Sequence, residues 1–459
     1  MAHFLREHGY TVQVIDFTDS FSTEELTNAL NMYTTNETQC IGISTTFYND
    51  FNVEIFLSER NFTISIPTNI EIAISNIKTK YPQIKTVLGG AKSLAGENID
   101  WIDCVIHGHG EDKMLEYLKN LSKPNKLQVI SKDLPKSIRA DPINKQFNIE
   151  TLNHRFIKED YISTNEVLPI EISRGCIFKC KFCSYPLIGK KKMDYLRNAE
   201  LIKEEMIFNY ENYGTTSYFF GDDTFNDSTF KIETLHNAII SLPFKINFTC
   251  YLRLDLLHRY QEQIPMLTNM GLISPFFGIE SLNQRSATSI GKGMDSGKVK
   301  DFLLELYYDK WKEQVPIYLS FIIGLPYETK QSIEETFKWV SSTDLTPSFQ
   351  PLSIFSDSLY KSEFEKNIDK YGYNIDANTR QWSNEFFTQQ EAEQLAKEYN
   401  NKILYKDSRV ASWFLLTLLN HNLSIDDCKN LKTSEINWKR VLLARSRKIA
   451  QYKKLVLKS

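Results

Sequence analysis

Residues 171–186 read EISRGCIFKCKFCSYP and place three cysteines, Cys176, Cys180 and Cys183, within eight positions. Just ahead of them, Leu168 to Ser173 is a short apolar run with β-branched residues, which predicts a strand that delivers the cysteines directly into a loop. Soft thiolates separated by three and then two residues can wrap a loop around a cubane iron–sulfur cluster. Each would ligate one iron and leave the fourth iron open to another ligand. The competing reading is a zinc knuckle. Zinc prefers four closed ligands, and no fourth Cys or His stands nearby in sequence, although the distant Cys250 keeps that alternative open.

Outward from this loop, strand-like and helix-like runs alternate. Candidate strands after Leu168–Ser173 are Ser217–Phe220, Ile246–Tyr251, Pro275–Glu280, Val315–Ile323 and Phe349–Phe355, with helical stretches such as Asn198–Tyr213 and Ser296–Tyr308 between them. Six βα units fit a partial (β/α)6 barrel over residues 165–355, whose working face is built from the loops after the strands. Residues 356–459 read as a mainly helical appendix. Its last stretch, Trp438 to Ser459, carries eight Lys or Arg and no acid. Apolar residues at helical spacing there predict a terminal helix packed on the barrel.

Residues 1–122 show a similar alternation. Tyr10–Phe17 and Gln39–Thr46 read as strands, Ser22–Met32 as a helix opened by a Ser22/Glu25 capping box, and Ile84–Leu88 and Asp103–Ile106 as further strands. The pattern predicts a Rossmann-like parallel sheet, with ligand-binding loops at the carboxyl ends of its strands. Residues 123–164, rich in Lys, Pro, Asn and Ser, read as a linker.

Composition sets the class. Hydrophobic residues make up 42% and charged residues 24%, with 29 Phe and 23 Tyr, as expected of a multidomain globular chain of 459 residues. A net charge of −3 argues against a nucleic-acid-coating protein. The N-terminus MAHFLREHGY lacks the apolar core of a signal peptide, and the longest strongly apolar run, Val315–Pro326, is too short to span a bilayer. A cytoplasmic protein with no membrane role is therefore expected. The four scattered cysteines Cys40, Cys104, Cys250 and Cys428 do not make a disulfide framework.

With these residues in view, the chain resembles the radical S-adenosylmethionine superfamily, whose hallmark is a CxxxCxxC loop after the first strand of a partial barrel. The resemblance covers roughly residues 165–355. It implies a 4Fe-4S cluster on Cys176, Cys180 and Cys183, S-adenosylmethionine on the open iron, and a deoxyadenosyl radical released by reductive cleavage. It also implies cofactor-binding roles, residue by residue. Phe182 would lie near the adenine, and Gly221, Asp222 and Asp223 near the amino group. Arg253, with Asp255, would face the carboxylate or the substrate. Glu280 and Ser281 would hold the ribose or methionine part, and Ile323, Gly324 and Leu325 would seat the adenine. Lys292-Gly293 resembles a further recurrent element, whereas Phe355–Ser358 diverges from the Pro-Gly-Thr turn of some relatives.

The N-terminal segment VLGGAKSLAGENIDWIDCVIHGHGE resembles the cobalamin-binding domain of one branch of the superfamily. The resemblance makes Ser44, Thr45, Gly89, Gly90, Gly108 and Gly110 candidate cobalamin contacts. The chain departs from that pattern in two ways: the usual first strand is expected to be missing, with Gly9 ending the first helix, and no D-x-H-x-x-G supplies an axial histidine. His107 and His109 are not expected to be ligands. The implied function is modification of an unactivated carbon by methylation, rearrangement or ring chemistry, with a small-molecule or peptide substrate and an external electron donor. Two rivals stand beside it. One is an enzyme methylthiolating transfer RNA, whose family expects a further cysteine set that Cys40 and Cys104 do not form. The other is a zinc-stabilised nucleic-acid-binding module.

Overall fold

The computed structural model describes residues 1–45, 66–90, 97–121, 135–141, 145–185, 187–354, 361–379, 381–404, 406–421, 423–429 and 431–458. The chain divides into two compact units. One comprises residues 1–148, 154–162 and 439–459, the other residues 149–153 and 163–438.

In the first unit, β1 (Cys40–Ser44), β2 (Lys85–Gly89), β3 (Cys104–His107) and β4 (Ser137–Arg139) form a parallel sheet in that order. Helices α1 (Ala2–Glu7), α2 (Thr23–Tyr33), α3 (Thr68–Lys80) and α4 (Glu111–Leu121) accompany it. The Ser22/Glu25 capping box that opens α2 forms in both directions. Tyr10–Phe17, expected as a strand, is not one. Part of its backbone is held by side chains: Arg6 Nη2 donates to Val12 O at 2.7 Å, and the Asp16 N–H donates to the Tyr452 hydroxyl at 2.8 Å. An extended segment with other partners for its polar groups has no need of a sheet edge.

The second unit is built on six parallel strands in sequence order: β5 (Leu168–Glu171), β6 (Ser217–Gly221), β7 (Asn247–Leu252), β8 (Leu272–Glu280), β9 (Tyr318–Ile323) and β10 (Thr346–Pro351). Between them run α5 (Ala199–Tyr213), α6 (Thr229–Ile240), α7 (Leu254–Arg259), α8 (Gln263–Met270), α9 (Gln284–Ser289), α10 (Ser296–Leu304) and α11 (Lys330–Ser341). This is the topology of an opened β/α barrel. Every predicted barrel strand has a counterpart, the last ending at Pro351 rather than at Phe355, which lies outside the described residues, as do Ser356–Ser358.

The C-terminal region adds α12 (Glu363–Lys366), the two-stranded β11 (Asn374–Ile375) and β12 (Trp382–Ser383), then α13 (Gln389–Leu404), α14 (Ser412–Leu419) and α15 (Ile425–Lys429). Helix α14 lies against the sheet. The Ser412 N–H donates to Ser274 Oγ at 2.7 Å, and the Trp413 ring meets that of Phe219 at 4.4 Å. The final helix, α16 (Trp438–Val456), packs within the first unit instead of on the barrel as its amphipathicity suggested. Tyr452 and Val456 join a core of Phe21, Leu26, Ala29, Ile70, Ala73 and Ile74. Among the described residues no helix is long and apolar enough to cross a membrane.

Candidate active site

The cysteine loop leaves β5 through Gly175, whose φ of +79° and close neighbour demand glycine: a Cβ there would lie 2.6 Å from both the Leu187 Cβ and its carbonyl oxygen. The loop then folds against residues 187–190. The Cys176 N–H donates to Leu187 O at 3.3 Å, and the Gly189 N–H to Cys176 O at 2.6 Å. Within it, the Cys183 N–H donates to Cys180 O at 3.0 Å.

All three thiols are free and half-buried, and protein donors stand beside two of the sulfurs. Thr224 Oγ1 lies 3.0 Å from Cys176 Sγ, the Phe178 N–H donates to the same sulfur at 3.4 Å, and Arg253 Nη1 reaches Cys180 Sγ at 3.6 Å. Burial raises the Cys176 thiol and pushes Cys183 up to about 11. Loading a metal onto these thiols therefore releases protons. Among the described residues no three His, Cys, Asp or Glu side chains form a cage for one metal ion. Three thiols on one loop, two of them with hydrogen-bond donors at their sulfurs, fit the thiolate set of an iron–sulfur cluster.

At the end of β6 the two adjacent aspartates part. Asp222 turns inward, accepting from Ser173 Oγ (2.8 Å), the Thr224 N–H (2.9 Å) and Lys231 Nζ (3.0 Å), and Lys231 also bridges Asp227 at 2.7 Å. Asp223 is exposed, yet burial of its carboxyl by surrounding protein, helped by the charge of Asp222, pushes it up to about 6. Tyr185 behaves alike: 63% exposed, with its phenol raised by desolvation. Gly221 pairs with Glu171 across the β5–β6 ladder, and Phe182 is half-buried on the cysteine loop.

After β7, Arg253 is clamped by Asp255 and lies over the Phe178 ring, 3.6 Å from its centre. At the end of β8, Glu280 sits at φ +68° beside a register shift in the β8–β9 ladder. Its carboxylate is buried 3.5 Å from Lys292 Nζ, which also donates to Gly278 O at 2.7 Å. Burial raises the Glu280 carboxyl against the opposing pull of Lys292. Ser281 donates to Glu328 Oε1 at 2.6 Å. Ile323 and Leu325 are buried. Gly324, at φ +98°, uses its freedom toward Trp382, whose ring would lie 2.2 Å from a Cβ there. The Gly324 carbonyl accepts from the Tyr373 hydroxyl (2.8 Å) and Asn384 Nδ2 (3.1 Å).

Sequence reasoning missed Thr224, Lys231, Glu328 and Trp382. Glu328, three residues past Leu325 in the segment SFIIGLPYET, carried a positional hint. Lys231 and Trp382 carried none.

In the first unit, Ser44, Thr45, Gly89, Gly90, Gly108 and Gly110 all fall at or just beyond the carboxyl ends of β1, β2 and β3. Thr45 is tied to Gly89 O through both its N–H (2.8 Å) and its hydroxyl (2.9 Å), while Ser44 is exposed. Gly90 and Gly108 have φ of +101° and +87°. His107 is buried, with Nε2 2.7 Å from Glu97 Oε1 and 3.1 Å from Ser137 Oγ.

Comparison with known proteins bears on this arrangement. Residues 170–340 match the Radical SAM superfamily. An uncharacterised methyltransferase of Pyrococcus horikoshii is 28% identical over 53% of this chain and 54% of its own length. The anaerobic magnesium-protoporphyrin IX monomethyl ester cyclase of Cereibacter sphaeroides is 24% identical over 65% of this chain and 54% of its own length. The chain thus spans about half the length of these curated relatives. Its fold is shared with the radical S-adenosylmethionine methyltransferase TsrM of Kitasatospora setae, solved with cobalamin and a 4Fe-4S cluster, at a TM-score of 0.57 and 15% identity over 80% of this chain and 70% of that one. Residues 170–340 thus carry a Radical SAM domain, and the chain shares its fold with TsrM.

Proposed function

We propose that this chain binds a 4Fe-4S cluster through Cys176, Cys180 and Cys183 and uses it with S-adenosylmethionine to modify an unactivated carbon by methylation, rearrangement or ring chemistry. The observation that carries the proposal is the set of half-buried thiols on one loop, two of them with protein donors at their sulfurs. When bound, such a cluster supplies the electron that breaks a carbon–sulfur bond of S-adenosylmethionine.

The protein's own part is binding, orientation and electrostatics. Asp223, accessible and crowded, is suited to an ammonium group. Gly221 allows backbone approach beside it, and Asp222 anchors this corner. Glu280 and Ser281, at the end of β8, are assigned to the ribose or methionine part, and Phe182 with the Ile323–Leu325 backbone to the adenine. In the first unit, Ser44, Thr45, Gly89, Gly90, Gly108 and Gly110 are assigned to cobalamin, an assignment supported by the shared fold with TsrM. An external one-electron donor is required, and the substrate is a small molecule or peptide.

The test is anaerobic reconstitution with iron, sulfide and S-adenosylmethionine, followed by iron analysis, paramagnetic resonance and product identification. Ser at any of the three loop cysteines should abolish the cluster, whereas Ser at Cys40, Cys104 or Cys428 should not. A chain that takes up one zinc and no iron would overturn the proposal.

A further inference from the structure

We infer that Arg253 is a tuning residue of the iron–sulfur site, its guanidinium held so that one N–H points at the sulfur of Cys180. The inference rests on the cluster assignment above and adds a role to it. Three contacts fix the side chain. Asp255 receives a forked pair from Nε (3.0 Å) and Nη2 (2.7 Å). The Phe178 ring, part of the cysteine loop itself, supports the guanidinium plane at 3.6 Å. Nη1 then reaches Cys180 Sγ at 3.6 Å. The backbone is pinned as well, because the Asn226 side chain bonds both the Arg253 N–H (2.9 Å) and its carbonyl (3.0 Å). With 8% of its surface exposed, the residue has little room to turn elsewhere.

An N–H aimed at a thiolate sulfur stabilises negative charge on the ligand. A reduced cluster carries one electron more than the oxidised one, so the contact favours the reduced form and raises the reduction potential. Asp255 does not cancel the effect, because it occupies the opposite fork while the Nη1 dipole is nearest the sulfur. The Phe178 ring covers one face of the guanidinium, and in such a sheltered site the interaction is less screened than in water. A lysine could carry the charge but not the arrangement, since it has neither the plane that stacks on Phe178 nor the fork that Asp255 grips.

The experiment uses the full chain, reconstituted anaerobically with iron and sulfide, as wild type, Arg253→Gln and Arg253→Lys. Iron content and the cluster midpoint potential, from redox titration followed by paramagnetic resonance, are the readouts. Both variants should keep wild-type iron. At the potential where the wild type is half reduced, Arg253→Gln should show about a tenfold lower reduced-to-oxidised ratio, equivalent to about 59 mV for a one-electron couple. Arg253→Lys should fall between the two. A Gln variant with full iron and the wild-type midpoint overturns the inference. If the Gln variant fails to hold iron, the Lys variant decides: a lowered midpoint supports the inference and an unchanged one overturns it. A wild-type chain without a cluster gives no signal to titrate, and that failure belongs to the parent proposal.

Discussion

The ammonium of Lys231 lies 3.0 Å from the carboxylate of Asp222, with at most 2% of either side chain exposed. Ser173, three residues before Cys176, donates to the same carboxylate. The pair thus ties the end of β6 to the start of the cysteine loop from beneath, while Asp223 is left at the accessible surface. Adjacent aspartates that look equivalent in sequence have different work: one anchors, the other is available.

Removing Lys231 should therefore be a stability lesion. Lys231→Met leaves Asp222 and Asp227 buried without a cation, which costs about 3–5 kcal/mol, measurable by denaturant unfolding of the metal-free chain. Asp223→Asn should leave that stability nearly unchanged and weaken S-adenosylmethionine binding to the reconstituted chain. The reverse pattern, a stable Lys231 variant alongside a destabilised Asp223 variant with full cofactor affinity, would exchange the roles.

Glu328 makes a pH-dependent contribution whose sign is fixed by its surroundings. Burial pushes its carboxyl up to about 8, and the Ser281 hydroxyl and the backbone N–H groups of Gly324 and Leu325 only partly oppose that. The folded chain then holds a proton that the unfolded chain releases near 4.5. Stability falls as pH rises from about 4.5 to 8 and is flat beyond. At about 1.4 kcal/mol per pH unit, the loss is on the order of 3–5 kcal/mol. Glu328→Gln should remove this slope, so that its unfolding free energy exceeds the wild type's at pH 8.5 by more than at pH 5. Parallel pH profiles for the two chains would refute the assignment.

The barrel and its cysteine loop were legible because the signals were local: alternating runs, a strand before the cysteines, glycines at strand ends. What was hidden depended on distant partners. Tyr10–Phe17 has the composition of a strand, but Arg6 and Tyr452 took its backbone bonds, and Tyr452 is 436 residues from Asp16. The short strand Ser137–Arg139 sits in a stretch whose Lys, Pro and Ser content reads as linker. The positive φ of Gly324 was foreseeable as a turn, whereas the ring that approaches it belongs to Trp382, which no local pattern connects to it.

The terminal helix α16 shows the same limit, since its apolar stripe was readable but not the core it joins. Tyr33 donates to Val456 O at 3.0 Å, and Tyr452 and Val456 are buried among α2 and α3 residues. Truncation after Trp438 should expose that core and loosen α2 and α3, seen as lost amide hydrogen-exchange protection there. A truncated chain with wild-type protection in both helices would show that the packing is dispensable.

If cobalamin binds the first unit, it should do so without a histidine of this chain as lower axial ligand. His107 is the nearer candidate by position, at the end of β3, but its Nε2 lies against Glu97 and Ser137, and its ring is 1% exposed. Turning it toward a cobalt would leave the Ser137 and Glu97 oxygens without this partner and open a cavity in the sheet's carboxyl end, a cost that metal ligation must first overcome. His109 follows Gly108, whose φ of +87° turns the chain immediately after the strand. The exposed Ser44 and the positive-φ turns at Gly90 and Gly108 instead suit backbone contact with a corrin edge or a phosphate tail. Titration with hydroxocobalamin should therefore give a cobalt(II) form whose paramagnetic resonance lacks nitrogen splitting from protein imidazole, with the same spectrum in His107→Ala and His109→Ala. Nitrogen splitting that disappears in either variant would show that a histidine does swing out to the metal.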